Sequence, residues 1–343
     1  MIKTHKIAVI GATGNIGREV LGVLAENSVP QDQVIAIASA KSVGDEISYG
    51  EEKVLKVQNI DHFDFTRVGI VIFCTPQAVI EKYLSQVRSA GCLIVCPSIA
   101  EQFVDKKEYV VPEVNGALLQ QSTAQIILTP DPGAIILSLV LQPFLKTGGI
   151  EQAVVTLLQA VSGHGREAMD ELFNQTRGIY MNSVVQHQHF TKQIAFNLIP
   201  HIGSFDKDGR TSEETNTIQQ TKQVLKSDFP LEITCVQAPV FIGYAATVTL
   251  NLAQHINSAQ ARKMLEQTLG VSVIDHRRDE GYVTPVETAG EQAVFVSRLR
   301  HREKQISFWV TADNLRRGAA LNMAQIVALM QKASRVLESK SVH

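Results

Sequence analysis

Cysteine, net charge and long apolar runs are all scarce in this chain, and each shortage excludes a class of protein. Only four of the 343 residues are cysteine. They are too few for a disulfide framework, and they lack the spacing of a zinc finger. The formal net charge of −2 gives no electrostatic reason to expect a nucleic-acid or anionic-membrane partner. No apolar run approaches the roughly 20 residues that span a bilayer. We therefore expect a cytoplasmic protein with no metal, no nucleic-acid partner and no membrane segment.

What the chain does have is the length and the apolar content of a large folded protein. Its 343 residues, 45% of them hydrophobic and 19% charged, predict two ordinary globular domains. Short apolar runs alternate with helical patterns through the first half, a rhythm typical of a doubly wound parallel sheet. The runs cover residues 6–10, 34–38, 68–74, 92–96 and 126–128.

The first of these runs leads into a glycine-rich turn, with glycine at positions 11, 14 and 17. Strand, glycine turn and helix in this order form a cradle for phosphate. Glycine lets the backbone approach a pyrophosphate closely, and the N–H groups at the start of the helix point at the anion. The alternative is a tight turn that binds no ligand. The pattern predicts cofactor contacts from Gly11, Thr13, Gly14, Asn15, Ile16 and Gly17.

The end of the second strand indicates which nicotinamide cofactor is bound. A fold that binds NAD often has an acidic residue here, which holds the ribose 2′-hydroxyl. This chain has no carboxylate there and places Lys41 between two hydroxyl side chains, Ser39 and Ser42. A lysine between hydroxyls suits a 2′-phosphate, so we predict NADP, with all three residues in contact with it. The alternative is a solvated loop lysine.

The second half has longer connections between its strands. We predict strands at 154–159, 232–236, 246–250 and 293–299, joined by helical stretches. This pattern favours an α+β domain with a mixed or antiparallel sheet. Thr211 or Ser212 is predicted to cap one helix, Asn257 precedes another, and a last helix from 318 to about 337 is expected to pack on the first domain.

Eight segments spread along nearly the whole chain form a recognisable set, in order and at characteristic spacing: 11–17, 39–42, 110–115, 159–163, 174–176, 193–197, 199–202 and 312–320. Together they resemble the aspartate-semialdehyde dehydrogenase family. The resemblance implies an α/β fold with a Rossmann-type NADP-binding domain at 1–129 and 318–343. It also implies a catalytic and dimerisation domain at 130–317, and a homodimer. Further cofactor contacts that it implies are Ser162, Gly163 and Asn314.

The family's chemistry, as the resemblance implies it, is the reductive dephosphorylation of β-aspartyl phosphate. A cysteine thiolate forms a thioester, NADPH delivers hydride, a histidine moves protons, and arginines hold the carboxylate and the phosphate. In this chain the nucleophile position reads Pro132 and the histidine position reads Tyr244, whereas Gln159 is retained. At three substrate-binding positions a neutral side chain stands where the family has a cation: Gln102, Asn216 and Gln237. At a fourth such position the family's acid is retained, as Glu213.

The losses favour a non-catalytic, NADP-binding paralogue, similar to the Usg-type division of the family. Hetero-association with an active relative is a further expectation. One alternative is an oxidoreductase that acts on an aldehyde or oxo group with NADP through His164, Tyr244 or Cys74. Another is a structural or regulatory partner that has lost the nucleotide too. His187 and His189 have the alternate spacing of metal ligands on a strand, but no third ligand is near in sequence, so a solvated loop is expected.

Overall fold

The computed structural model describes residues 6–147, 149–182 and 186–341. The chain divides into two compact units: the first is Met1–Pro130 with Ala319–His343, and the second is Asp131–Gly318. Within the described residues, no helix combines the length and the apolar character that crossing a bilayer requires.

The regular elements are numbered in chain order. The strands of the first unit are β1 (Ile7–Ile10), β2 (Val34–Ala38), β3 (Glu46–Tyr49), β4 (Lys53–Lys56), β5 (Gln58–Asn59), β6 (Ile70–Phe73), β7 (Leu93–Pro97) and β8 (Ile126–Thr129). Those of the second unit are β9 (Ile150–Gln159), β10 (Leu231–Gln237), β11 (Tyr244–Leu252), β12 (Val271–Val273), β13 (Val294–Arg302) and β14 (Gln305–Ala312). The helices are α1 (Asn15–Glu26), α2 (Gln77–Ser89), α3 (Pro112–Asn115), α4 (Pro132–Thr147), α5 (Arg166–Tyr180), α6 (Ser212–Leu225), α7 (Ser258–Glu266) and α8 (Leu321–Ser341).

The first unit is built on a parallel sheet with strand order β5-β2-β1-β6-β7-β8. Its central strands are buried along their whole length, which explains why they read as continuous apolar runs. One core cluster joins Val9 of β1, Val20 of α1 and Val327 of α8. The predicted Rossmann-type sheet is confirmed, and so is the packing of the last helix on this unit.

The second unit contains a mixed sheet with strand order β10-β9-β11-β14-β13-β12. β10 runs parallel to β9 and β12 parallel to β13, whereas β11 and β14 are antiparallel to both of their neighbours. The predicted mixed sheet is therefore confirmed. The sequence-based prediction omits β14, a central strand, although Ile306, Phe308 and Val310 alternate as its buried side.

The N-termini of two helices are capped by the polar residues that the sequence predicts. Thr211 caps α6 and forms a capping box with Glu214, and Asn257 does the same for α7 with Gln260. The last helix differs from its prediction at the start. A π-helical turn occupies Arg316–Ala320, and the α-helix begins at Leu321 instead of residue 318.

Candidate cofactor site and candidate active site

Close packing at two positions of the turn between β1 and α1 requires glycine. Gly11 has φ +83°, and a Cβ there would lie 2.3 Å from the backbone oxygen of Cys74. A Cβ on Gly17 would lie 2.1 Å from the backbone oxygen of Gly11. By contrast, a Cβ on Gly14 would meet nothing closer than 3.4 Å. Gly11 and Gly17 therefore shape the turn, while Gly14 leaves open space where the helix begins.

The start of α1 fits an anionic group. Gly14 is the N-cap and contributes no capping side chain, and the first turn of the helix contains no acidic residue. The partial positive charge of the helix terminus is therefore not opposed by a carboxylate of that turn. Arg18, which the sequence analysis overlooked, donates from Nε to the backbone oxygen of Thr13 at 3.0 Å and adds a cation to the turn.

The predicted 2′-phosphate contacts lie on a short turn beside the glycine turn. The N–H groups of Gly11 and Ala12 both donate to the backbone oxygen of Ile37 in β2, at 2.9 and 3.1 Å. The chain continues from β2 into a 3₁₀ turn, Ala40–Ser42, on which Lys41 is exposed. The side chains at the end of β2 are thereby held near the phosphate cradle, as binding of a dinucleotide requires.

Cys74 lies at the end of β6, against the glycine turn. It is half-buried, and burial raises the pKa of its thiol to about 12. Reactive cysteines have a lowered pKa, so the raised pKa of Cys74 is that of an unreactive thiol.

In the second unit, Pro132 is the first residue of α4. The preceding residue, Asp131, is held by a reciprocal pair of hydrogen bonds to Gln220 of α6. The Asp131 N–H donates to Oε1 of Gln220 at 2.6 Å, and Gln220 Nε2 donates to Oδ2 of Asp131 at 2.8 Å. The start of α4 therefore presents a carboxylate and a pyrrolidine ring. Gln220 was missed by the sequence analysis, although it follows Glu213 by seven residues and so shares a helix face with it.

Gln159, at the end of β9 and only 2% exposed, is the centre of a polar cluster. Its Nε2 donates to Oε1 of Glu213 at 2.7 Å, and its Oε1 accepts a hydrogen bond of 3.4 Å from the Tyr244 hydroxyl. Its backbone oxygen accepts from Nε2 of Gln237 at 2.8 Å. Oε1 of Gln237 in turn lies 2.9 Å from Nε2 of His164. The sheet brings these residues together because β9 lies between β10 and β11.

The predicted cofactor contacts of the second unit lie beside this cluster. A Cβ on Gly163 would lie 2.5 Å from the Tyr244 hydroxyl, so the phenol fills the space next to that glycine. Asn314 donates from Nδ2 to Oγ of Ser162 at 3.0 Å, and its Oδ1 accepts from the N–H of Gly243 at 2.9 Å. Ser162, Gly163 and Asn314 therefore share one region with Tyr244.

Two carboxyl groups, those of Asp131 and Glu213, influence the titration of this cluster. Burial, and then the charge of Asp131, raise the pKa of Glu213 to about 7, although the hydrogen bond from Gln159 opposes the shift. Burial raises the pKa of Tyr244 well above its ordinary value, and Glu213 and Asp131 raise it further. Cys235, also missed by the sequence analysis, lies with its sulfur 3.8 Å from Nε2 of Gln159. Burial and the neighbouring carboxylates raise the pKa of this thiol, so it stays protonated.

The remaining candidates are more exposed. Asn216 is exposed on α6, one turn after Glu213, and Gln102 is exposed on a 3₁₀ stretch of the first unit, Ser98–Phe103. His187 and His189 are exposed, and the N–H of His189 donates to Oε2 of Glu171 at 2.7 Å. In the described parts of the chain, no three His, Cys, Asp or Glu side chains are grouped so as to hold a metal ion.

Comparisons with known proteins place both units in one family. The family model for the semialdehyde dehydrogenase NAD binding domain matches residues 6–122, and the model for the semialdehyde dehydrogenase dimerisation domain matches 141–317. The chain is 38% identical to the aspartate-semialdehyde dehydrogenase of Rickettsia conorii, over 95% of this chain and 97% of that one. It is 32% identical to a USG-1 protein homolog of Azotobacter vinelandii, over 96% and 98% of the two chains. A crystal structure of aspartate semialdehyde dehydrogenase II from Vibrio cholerae, complexed with ASA, superposes with a TM-score of 0.90 at 32% identity, covering 95% of this chain and 98% of that one.

Proposed function

This chain belongs to the aspartate-semialdehyde dehydrogenase family and contains its nicotinamide-nucleotide-binding and dimerisation domains, and we propose that it is an NADP-binding homodimer that does not catalyse the family reaction. Its relatives are named both as aspartate-semialdehyde dehydrogenases and as USG-1 protein homologs, so their names do not decide whether this chain is catalytic. The residues of the site therefore carry the proposal.

The single observation behind the proposal is Pro132 at the first position of α4. A proline side chain has no atom that can attack an acyl phosphate, so the thioester of the family reaction cannot form at this position. Cys235 does not substitute for it, because its thiol is buried and surrounded by carboxylates that keep it protonated.

The charge of the site supports the same proposal. The family substrate is an anion with a carboxylate and a phosphate, and the positions that would bind it read Gln102, Asn216 and Gln237. Each hydrogen bond to a charged group contributes roughly 1.5–3 kcal/mol, so three replacements weaken such binding severely. Asp131 and Glu213, both in the second unit, add negative charge beside Gln159.

Cofactor binding is retained in this proposal. The glycine turn keeps the close packing that a pyrophosphate cradle needs, and Lys41 lies on the turn that follows β2. The match to a dimerisation domain over 141–317 supports a homodimer. Relatives named aspartate-semialdehyde dehydrogenase match this chain over nearly its whole length, including residues 141–317, and we therefore also propose hetero-association with an active relative.

Three measurements on the purified protein test the proposal. We expect NADPH fluorescence to change on titration, with saturation at one cofactor per chain. We expect no phosphate-dependent reduction of NADP with aspartate semialdehyde, and no acyl adduct by mass spectrometry. Turnover accompanied by an adduct would overturn the loss of the family reaction. Absence of NADPH binding would favour a purely structural or regulatory partner instead.

A second candidate function has one observation in its favour. Glu213 has a pKa raised to about 7 and donates or accepts protons most effectively near neutral pH, which suits a general acid or base. An oxidoreductase acting on an aldehyde or oxo group with NADP would use Glu213, with His164 beside Gln237. Cys74 and Tyr244 suit this function less, because burial raises both of their pKa values. Oxidation of an aldehyde by NADP that is lost in both Glu213→Gln and His164→Gln would establish it.

A further inference from the structure

A cavity of about 620 Å³ lies in the second unit, away from the Gln159 cluster. Its walls come from the loop between β12 and β13, from the middle of β13, and from the start of α7. We call it the arginine groove, because Arg277, Arg278, Arg298 and Arg300 all line it. None of these residues belongs to the cluster around Gln159.

Within the part of the chain that the structure describes, the four arginines of the groove have no carboxylate partner. Among the described residues, none of them forms an ion pair, and the one hydrogen bond made by their side chains runs from Nη1 of Arg300 to the backbone oxygen of Arg298 at 3.1 Å. Two acids, Asp275 and Asp279, also line the groove. Asp275 is already engaged, because Nη2 of Arg262 donates to its Oδ2 at 2.9 Å. Asp279 adds one further carboxylate against the four arginines, so the lining of the groove is positive on a chain whose formal net charge is −2.

The backbone holds these arginines in place. The register between β13 and β14 shifts between Ser297 and Arg300, and Arg298 in this bulge has φ +57°. A bulge turns side chains away from the regular alternation of a strand. The opposite wall is a tight loop in which the N–H of His276 donates to the backbone oxygen of Gly281 at 2.8 Å. A Cβ at Gly281 would lie 2.2 Å from that same histidine's backbone oxygen, so the loop can close only over glycine.

We propose that the arginine groove binds a small polyanion, a molecule of metabolite size with at least two phosphate or carboxylate groups. The guanidinium group presents paired donors that match phosphate and carboxylate oxygens. A volume of about 620 Å³ is in the range of small-molecule sites, not of an extended macromolecular surface. Tyr282, 43% exposed at the groove, adds an aromatic face for the uncharged part of such a ligand.

Calorimetric titration of the full-length protein with inorganic tripolyphosphate, and separately with citrate, tests the proposal. The two probes distinguish a phosphate ligand from a carboxylate ligand. We expect at least one of them to bind, and the double variant Arg298→Gln with Arg300→Gln to weaken that binding roughly tenfold or more. Arg67→Gln with Arg88→Gln makes the same change of net charge in the first unit and serves as the matched control.

A second variant covers a failure of the first to fold. Arg277→Gln with Arg278→Gln changes only the loop wall, and we expect a similar loss of affinity. Failure of both probes to bind the wild-type protein would overturn the proposal, as would equal losses in the groove and control variants. Displacement of tripolyphosphate by NADPH, with no effect of the groove variants, would show that the probe occupies the glycine turn, and would also overturn it. NADPH affinity itself is expected to be unchanged in the groove variants, so this test is independent of the proposed function.

Discussion

The glycine turn of the first unit depends on backbone atoms, whereas the Gln159 cluster of the second unit depends on side chains. The glycine turn works through the backbone: its geometry needs a missing side chain at Gly11 and Gly17, and the donors that it would offer to a phosphate are main-chain N–H groups. The Gln159 cluster works through the side chains that its strands and α6 place together. A backbone site keeps its function while the glycines remain. A side-chain site can keep its geometry and change its chemistry when a single residue is exchanged.

The largest expected effect comes from adding one methyl group to the glycine turn. Gly11→Ala forces a Cβ to within 2.3 Å of a backbone oxygen at φ +83°. The backbone cannot move aside as a flexible side chain would, so we expect a loss of about 3 kcal/mol in the free energy of unfolding. Urea denaturation measures it. Gly22→Ala is the control, because nothing lies within 4 Å of its added Cβ and it sits within a helix. A Gly11→Ala protein as stable as that control would show that the turn tolerates side chains.

The Gln159 cluster is expected to respond to pH through Glu213. Its pKa in the folded protein is raised from 4.5 to about 7, so the folded state binds this proton more tightly than the unfolded chain. The free energy of unfolding therefore falls as the pH rises through this interval and is flat above it. Glu213→Gln removes that loss, and we expect its stability relative to wild type to rise by about 2 kcal/mol between about pH 5 and pH 8.

Urea denaturation at a series of pH values measures this difference. Glu151→Gln, which removes an exposed carboxylate from β9, is the matched control. A parallel pH dependence for wild type and Glu213→Gln would mean that the pKa of Glu213 is not raised in the folded protein. The Gln159 cluster would then not differ from the glycine turn in its electrostatics.

A coupled pair of substitutions tests how tightly the side-chain site is packed. Gly163→Ala places a Cβ 2.5 Å from the hydroxyl of Tyr244, a buried residue. We expect a loss of about 1–2 kcal/mol in the wild-type background and a clearly smaller loss in Tyr244→Phe, which lacks that hydroxyl. A double-mutant cycle by thermal or urea unfolding measures the coupling. Equal losses in both backgrounds would place the hydroxyl away from Gly163.

The smallest expected effect concerns the cofactor's 2′-phosphate. Lys41 is exposed, and its contact with that phosphate would be worth about 1 kcal/mol. We expect Lys41→Gln to weaken NADPH binding roughly fivefold and to leave NADH binding nearly unchanged. Lys53→Gln, an exposed change on β4, is the control. An equal effect on both cofactors would remove Lys41 from the 2′-phosphate site.

Sequence patterns were most informative where neighbours in the chain decide the outcome. The run at 34–38 predicts β2 within its observed bounds, and Thr211 and Asn257 mark the observed helix starts. The prediction missed β14 although local signals were present, since its buried residues alternate and it forms a hairpin with β13; only its pairing with β11 is distant in sequence. Cys235 was not linked to Gln159, because 76 residues separate them along the chain.

The sequence by itself determined the doubly wound sheet, the glycine turn and the absence of a nucleophilic atom at Pro132, because each depends on local pattern or on the atoms of one residue. Only the tertiary structure decided that Gln159, Glu213, Gln237 and Tyr244 form one hydrogen-bonded cluster. It also decided the raised pKa values of Glu213 and Cys235, which arise from burial and from charges on other elements of the fold. Proton affinity depends on the surroundings that the folded chain assembles in space, and residue identity alone does not contain them.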